Sequence, residues 1–472
     1  MKKNLAQNAA FNVLYRVLNV IFPLISATYI ARVLSPEGVG KVAYAQNIVS
    51  YFLMFAALGI PSYGTREVAQ NRNDPRALSK LFSELFVINF ASTALCIAAY
   101  GLFVCAAIHT DGLLYMVFSL DLFFNFINID WLYQGEEEYV YITLRSILVK
   151  VLSLAAMFLL VKDQQDYAVY VLILCLGVGC NNFFNLYHAR KKVKLTLRGL
   201  ELRRHMKPIL FLMLSSAAAS LYSKVDITML GMLTSEENVA YYSNAHKIIN
   251  IVLTLVTALS AVFLPRLSYV YKNDRKQYGQ YLSIGLKVVL ALAVPSCVGV
   301  MIVADNLVLT LFGEAFAPAA ATLKILAVFT VIKGAGDLLC YQSIISSGNE
   351  RQLIRSRVVA GAANIVLNAF LIPRYGHNGA AVASVFSEVI VNGMLLPHSL
   401  AIAKPSVGRR FFLSVAAGTL LMAVTTAGVQ QALGEGLLPL AGTVAAGVAV
   451  YLLVLLVSGN DLMEVLLQKA RK

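Results

Sequence analysis

Charge is scarce in this chain. Only 14% of its 472 residues are Asp, Glu, Lys or Arg, against about 25% in an ordinary soluble domain. Tryptophan occurs once, and there are six cysteines, most of them inside apolar runs. Cys175 and Cys180 lie five apart and no C-x-x-C occurs. That excludes a dense disulfide framework and a thiolate metal site, and leaves the cysteines as small apolar residues of helices. The six histidines, His109, His188, His205, His246, His377 and His398, show no metal-ligand spacing, and no G-x-x-x-x-G-K-[ST] loop is present. No metal, no cofactor and no ATPase activity is therefore expected. Lys2 and Lys3 followed by an apolar run imitate a signal peptide. The run is long, contains Arg16 and ends in no small-residue cleavage site, so it reads as a retained segment.

What is abundant is apolar surface: 58% of residues, with a mean hydropathy of +0.70. It arrives in repeated runs of about 20 residues, the length a helix needs to cross a bilayer. The expected fold is an all-α polytopic membrane protein of about 14 transmembrane helices. The spans fall near 8–31, 42–63, 82–107, 112–134, 141–161, 167–189, 208–231, 240–264, 280–303, 319–345, 358–373, 379–399, 411–430 and 436–457. Residues 305–317 are too short to span and are expected as a loop or a short interfacial helix. The net charge of +14 would suggest nucleic acid in a soluble protein, but its distribution does not. With the N-terminus inside, the inner loops hold Arg66, Arg72, Arg76 and Lys80; Arg190, Lys191, Lys192, Lys194, Arg198, Arg203, Arg204 and Lys207; Arg266, Lys272, Arg275 and Lys276; Arg351, Arg355 and Arg357; and Lys404, Arg409 and Arg410. The outer loops hold little beyond Arg32, Lys41, Lys162 and Arg374. This is the positive-inside pattern, with both termini cytoplasmic.

An internal echo divides the chain. LSPEGVGKVAYAQNI at 34–48 returns as LTSEENVAYYSNAHKI at 233–248, and Gln134-Gly135-Glu136-Glu137 returns as Ser347-Gly348-Asn349-Glu350. The expected organisation is two parallel six-helix lobes, 1–207 and 208–403, around a central cavity, with two peripheral helices and a tail at 404–472.

Polar residues inside the spans recur at helical spacing: Asn8, Asn12, Arg16, Asn19 and Ser26 in the first; Asp121, Asn125 and Asn128 in the fourth; Thr143, Ser146, Lys150 and Ser153 in the fifth. The seventh has Ser216, Ser220, Ser223 and Asp226, the eighth Ser243, Lys247, Asn250 and Thr254, the tenth Lys333 and Asp337, and the twelfth Ser384, Glu388 and Asn392. A charge at bilayer depth costs about 2.5–3.5 kcal/mol on insertion scales, so these stripes face one another or water. Single Ser and Thr residues read as helix–helix hydrogen bonding; charged stripes in both halves point to a hydrated cavity. Lys333 and Asp337, four apart, are spaced to pair on one helix. Arg16, Lys150 and Lys247 are the cations best placed to attract an anion such as a pyrophosphate.

The segments LGIPSYGTREVA at 58–69, Asp130-Trp131-Leu132-Tyr133-Gln134-Gly135-Glu136-Glu137, LFGEAF at 311–316 and ARVLSPEGVG at 31–40 resemble bacterial polysaccharide flippases of the Wzx type, in the multidrug/oligosaccharidyl-lipid/polysaccharide exporter superfamily. The resemblance, with the span pattern, covers nearly the whole chain. It implies a flippase, not an enzyme, that moves an undecaprenyl-pyrophosphate-linked oligosaccharide from the inner to the outer leaflet of the cytoplasmic membrane, for O-antigen, capsule or another surface polysaccharide. On that reading Arg16, Lys150 and Lys247 contact phosphate or sugar, and Asn12, Asn19, Asp121 and Asn125 line the path. Some relatives are ion-driven, which makes Asp226, Asp337 and Glu388 coupling candidates. Partners would be the lipid-linked substrate, membrane lipids and a polymerase or glycosyltransferase. The same motif residues also have a packing reading: Gly59, Pro61 and Gly64 as residues that end a helix and shape a tight inner loop, Arg66 and Glu67 as a surface pair, Trp131 as an interfacial anchor. Two alternatives stand beside the flippase. A drug or cation exporter of the same superfamily would want an anionic, aromatic cavity. A membrane-embedded polymerase or glycosyltransferase would need a catalytic loop larger than any here.

Overall fold

The computed structural model describes residues 5–459, and the side chains among them except those of residues 5–10, 12, 13, 16, 17, 20, 215 and 218–223. Every regular element among them is helical: α1 (Leu5–Val33), α2 (Pro36–Ala57), α3 (Ile60–Asn71), α4 (Pro75–Ala107), α5 (Gly112–Asn125), α6 (Asp130–Gly135), α7 (Tyr139–Leu160), α8 (Tyr167–Ala189), α9 (Arg203–Leu233), α10 (Glu236–Ala261), α11 (Leu264–Asn273), α12 (Arg275–Phe312), α13 (Ala319–Gly336), α14 (Ser343–Ser346), α15 (Glu350–Ile402), α16 (Arg409–Leu433) and α17 (Leu437–Val457). Nine of these described helices or helix pairs are long and apolar enough to cross a membrane. Taking α2 with α3, α5 with α6, α10 with α11 and α13 with α14 as single crossings, and dividing α15 at Gly376, where φ is 53° and ψ −133°, gives fourteen long segments. The chain is a polytopic α-helical membrane protein.

The chain forms two compact units, Met1–Lys224 and Val225–Lys472, whose border falls inside α9. Their local structure repeats in step with the sequence echo. Ser35 precedes α2 at φ −63°, ψ 162°, and its hydroxyl accepts from Gly38 N at 3.2 Å; Ser235 precedes α10 at φ −84°, ψ 160°. An extended Ser followed by acidic residues in the first turn is a helix start. α2 breaks before Pro61 and α10 before Pro265. The next helices, α4 and α12, both begin at an aspartate cap, Asp74 and Asp274. Asp74 accepts from Arg76 N and Ala77 N at 2.9 and 3.1 Å, and Asp274 from Gln277 N at 3.0 Å. Glu137 (φ 58°) and Gly348 (φ 74°) turn the chain within the other echoed segments.

Three expectations are corrected. Residues 305–312 are not a loop: α12 runs unbroken to Phe312, and only Glu314–Phe316 form a short 3-10 turn. Asp305, on an exposed face of this helix, pairs with Lys324 at 2.6 Å. Trp131 is not an interfacial anchor. It is 2% exposed and packs with Ile60, Tyr63, Phe82 and Ile209 in a core at the α3/α6 end of the first unit. A Cβ on Gly64 would stand 2.8 Å from its ring, and one on Gly135 would stand 2.6 Å from Val68. The two glycines are therefore close-approach positions for α3 against α6. Gly59–Asn71 is a helix with its start, not a tight loop, though Gly59 (φ 140°) does mark a helix break and Arg66 pairs with Glu67 at 2.9 Å.

Candidate functional site

In the first unit, residues of α2, α3, α5, α8 and α9 border an open cavity of about 500 Å³. Its polar lining includes Ser50, Asp121, Asn125, Asn128, Asn182 and Lys224. Two broken helices border it. α2 passes to α3 through Leu58 and Gly59, both at positive φ, and α5 ends at Asn125 four residues before α6 resumes. Non-helical backbone at membrane depth survives only where protein or a water-filled cavity receives its freed groups. Here Ser92 donates to Ala56 O at 2.6 Å, Asn89 Nδ2 to Asn125 O at 2.8 Å, and Asn182 Nδ2 to Phe124 O at 3.0 Å. The Asn125 amide itself donates to Thr93 Oγ1 at 2.9 Å and Asn89 Oδ1 at 3.3 Å.

Asp121 sits one turn before the α5 break. Its Oδ1 is shielded from solvent and has no hydrogen-bond partner, and the Cys175 thiol lies beside the carboxyl. Lys224, which sequence reasoning left out of the site, donates to Ser50 Oγ at 2.7 Å and lies 5.8 Å over the Tyr51 ring. Lys150 and Asn19 are brought together elsewhere. The ammonium donates to Asn19 Oδ1 and rests 5.5 Å over Phe22, where α7 packs on α1. Asn12 and Arg16 have side chains outside the described residues.

Two buried charge clusters in this unit were missed. Arg145 bridges Asp130 (3.1 Å) and Asn185, while the Asn185 amide also donates to Asp130. Completely buried Glu84 accepts from Glu201 N at 2.7 Å, Arg204 at 2.7 Å and His205 Nε2 at 2.9 Å, and Tyr63 meets the other ring nitrogen at 2.7 Å. This network ties Glu201 and the first turn of α9 to α3 and α4. Glu84 and His205 are 121 residues apart, so no local spacing signals them. Nearby, Lys192 reaches Glu136 and Glu138, both at 2.6 Å. Burial alone would lower its pKa, but the two carboxylates hold it above the ordinary lysine value. Exposed Glu201 is held below the usual carboxylate range by its hydrogen bond from Lys80, 2.5 Å away.

In the second unit Asp226 is buried inside four donors. Tyr242 Oη (2.7 Å) and the Ser384 hydroxyl donate to Oδ2, and Asn364 and Asn368 Nδ2 (3.0 and 2.7 Å) donate to Oδ1. Lys247 is not in that shell; it donates to Asn244 Oδ1 at 3.1 Å. The Lys333–Asp337 pair read from i,i+4 spacing does not form. Lys333 faces Glu388 at 3.8 Å and lies 5.0 Å over Phe329. Asp337 opens a π-helical turn, Asp337–Gln342, and takes the Ser260 hydroxyl and Gln342 Nε2 (3.1 Å). Asp337 N–H still bonds to Lys333 O, so the spacing up to Asp337 is α-helical; the two side chains part because each has other partners. Asn392, on the same α15 stripe as Ser384 and Glu388, donates to Ile332 O at 3.0 Å, just before that turn.

The sequence profile of polysaccharide biosynthesis proteins matches residues 5–270. The "Putative O-antigen transporter" of Escherichia coli (strain K12) is 21% identical over 401 residues, covering 84% of this chain and 96% of its own. A "Probable low-salt glycan biosynthesis flippase" of Haloferax volcanii is 26% identical over 187 residues, 39% of each chain. Among solved structures, the lipid II flippase MurJ in an inward closed conformation superposes with a TM-score of 0.74 at 17% identity, covering 96% of this chain and 100% of that one. An inward-facing multidrug resistance MATE transporter of the MOP superfamily superposes with a TM-score of 0.64 at 16% identity, covering 81% and 94%. These two likenesses establish the fold. The chain belongs to the polysaccharide biosynthesis protein family, and the relatives named here are a transporter and a flippase.

Proposed function

We propose that this protein is a flippase that carries undecaprenyl-pyrophosphate-linked oligosaccharide repeat units from the inner to the outer leaflet of a bacterial cytoplasmic membrane by alternating access, with both termini cytoplasmic. The observation that carries the reading is the cavity at two broken helices, with Asp121, Asn125, Asn128, Asn182 and Lys224 in its lining, in a chain of this family; discontinuous helices supply the binding sites of many transporters. Named relatives include an O-antigen transporter and a glycan flippase, which supports a lipid-linked glycan as the cargo. On this reading the sugar head group passes through the protein while the polyprenyl tail stays in lipid.

Residues 1–207 and 208–403 act as the two six-helix lobes, with 404–472 appended. Arg16, Lys150 and Lys247 take phosphate or sugar oxygens through charge-assisted hydrogen bonds, and Asn12, Asn19, Asp121 and Asn125 line the route. Of the coupling candidates Asp226, Asp337 and Glu388, Asp226 is best equipped. Its shell of two hydroxyls and two carboxamides can turn oxygen as well as hydrogen inward, which suits a proton or a small cation. A polymerase or glycosyltransferase would meet the product or supply the substrate. Native mass spectrometry of the purified protein tests the cargo. Retention of undecaprenyl-pyrophosphate glycan, reduced by Lys150→Met, is the expected result; equal retention of undecaprenol without phosphate or sugar would contradict it.

A further inference from the structure

The link from α8 to α9 leaves part of its apolar and charged surface without a protein partner. Val193 and Leu202 pack into the core around Trp131. Leu195 and Leu197, between them, do not: they are 54% and 67% exposed. The cations divide the same way. Lys192 is held by Glu136 and Glu138, and Arg204 by Glu84. Lys191, Lys194 and Arg198 are exposed, and their side chains meet no carboxylate among the described residues. The segment is also braced at a defined height. Lys194 N donates to Ser79 Oγ at 3.2 Å and Thr196 N to Ser83 Oγ at 2.8 Å. Ser79 and Ser83 lie on α4, which is long and apolar enough to cross a membrane. Their face continues at helical spacing through Phe86 to exposed Phe90. The last turns of α8, also a crossing helix, expose Phe183 and Tyr187, and Arg190 lies 5.9 Å over the Tyr187 ring. Such aromatic residues mark a membrane boundary. Leu195 and Leu197 therefore stand where two crossing helices leave the bilayer, not out in water.

We propose that residues 190–198 form a docking site for anionic phospholipid. Leu195 and Leu197 enter the boundary between head groups and acyl chains, and Lys191, Lys194 and Arg198 take head-group phosphates through charge-assisted hydrogen bonds. Apolar burial and charge attraction add at such an interface, and each cation close to an anionic leaflet strengthens the contact. A zwitterionic surface accepts the leucines but gives the cations no net charge to meet. A soluble acidic partner meets the cations but covers the leucines only by entering the head groups. The backbone bonds to Ser79 and Ser83 hold the segment in place before a lipid arrives, which lowers the ordering cost of docking. The site is independent of the cargo the chain carries.

The test uses the full chain in nanodiscs with no glycolipid present. Leu197→Cys is introduced together with Cys105→Ala and Cys180→Ala, which remove the two exposed native thiols. The readout is the rate at which a water-soluble maleimide modifies residue 197. It is taken relative to a Gln70→Cys chain, whose cysteine on exposed helix α3 reports surface charge alone. Discs of phosphatidylcholine are compared with discs of phosphatidylcholine and phosphatidylglycerol in equal parts. The relative rate is expected to fall about tenfold when phosphatidylglycerol is present. Salt at about 1 M, which screens charges beyond about 3 Å, is expected to restore most of it. Lys191→Gln/Lys194→Gln/Arg198→Gln changes three exposed side chains that have no carboxylate to lose, and is expected to make the rates in the two lipids equal. Equal rates before that substitution, or a difference that survives it, overturn the site. Protection in native membrane vesicles but in neither defined lipid also overturns it, and points to an acidic protein as the partner.

Discussion

Asp226 gives the sharpest energetic test of the second unit. Its carboxylate accepts four hydrogen bonds, from Tyr242, Ser384, Asn364 and Asn368, inside a shell that excludes solvent. Asp226→Asn keeps the shape but removes the charge and replaces one acceptor oxygen with a donor. Whichever way the new amide turns, two donors lose their acceptor: Asn364 and Asn368 if nitrogen replaces Oδ1, Tyr242 and Ser384 if it replaces Oδ2. The two surviving bonds fall from charge-assisted to neutral strength, a loss of about 1 kcal/mol each. A stranded buried donor adds about 1–3 kcal/mol. The expected cost is therefore about 3–5 kcal/mol. Unfolding entropy of about 2.1 cal/mol/K per residue amounts to about 1 kcal/mol/K for this chain, so the transition should fall by about 3–5 °C. Asp337→Asn, with only Ser260 and Gln342 as donors, should fall by about half as much. The assay is fluorescence-detected size-exclusion thermostability of the purified protein. A D226N transition within 1 °C of wild type, or one less affected than D337N, would refute the four-donor shell (the threshold being about a third of the smallest expected shift).

Three further outcomes are expected. Gly64→Ala pushes a methyl into the Trp131 ring, 2.8 Å away and walled in by Phe82; overpacking of about 1–3 kcal/mol should lower the transition, and G64A/W131L should recover part of it by double-mutant cycle. Arg145→Met leaves Asp130 and Asn185 without their guanidinium and should cost about 3–5 kcal/mol, read as lost folded yield, while removing both charges with Asp130→Asn/Arg145→Gln should cost less. The Lys192 contacts have a pH signature. Its folded pKa is raised by Glu136 and Glu138, so the stabilisation is complete below the unfolded lysine value of about 10.4 and is lost as pH rises through the higher folded value. Wild type should therefore lose thermostability over that alkaline window more steeply than Lys192→Met, and parallel curves would count against the clasp.

The membrane fold was legible because twenty-residue apolar runs and basic loops are local signals. What failed did so for identifiable reasons. Asp305 and Asn306 interrupt the hydropathy, but a hydropathy dip is not a backbone break, and Lys324 satisfies the charge from a neighbouring helix. Lys333 and Asp337 do keep α-helical spacing, but Glu388 takes the lysine and Ser260 and Gln342 take the aspartate, and spacing along one helix does not show those partners. Trp131 is a frequent interfacial residue type, but the two glycines that admit its buried contact lie 67 residues upstream (Gly64) and four downstream (Gly135). Asp121 and Asn125 stood out by their four-residue spacing and do share the cavity. The Asp226 shell draws on α10 and α15, more than a hundred residues apart from one end to the other. The signal that could have found it was the Asn364–Asn368 pair, four apart in an otherwise apolar span. The Glu84–His205 network left no such trace.

The central claim is tested most directly by leaflet exchange in sealed proteoliposomes. A fluorescent undecaprenyl-pyrophosphate glycan is placed in the outer leaflet, and its protection from a membrane-impermeant quencher is followed with time. The account predicts protection that depends on the protein and is slowed by Arg16→Ala. No protection across neutral and acidic glycans, with and without an imposed ion gradient, would contradict it.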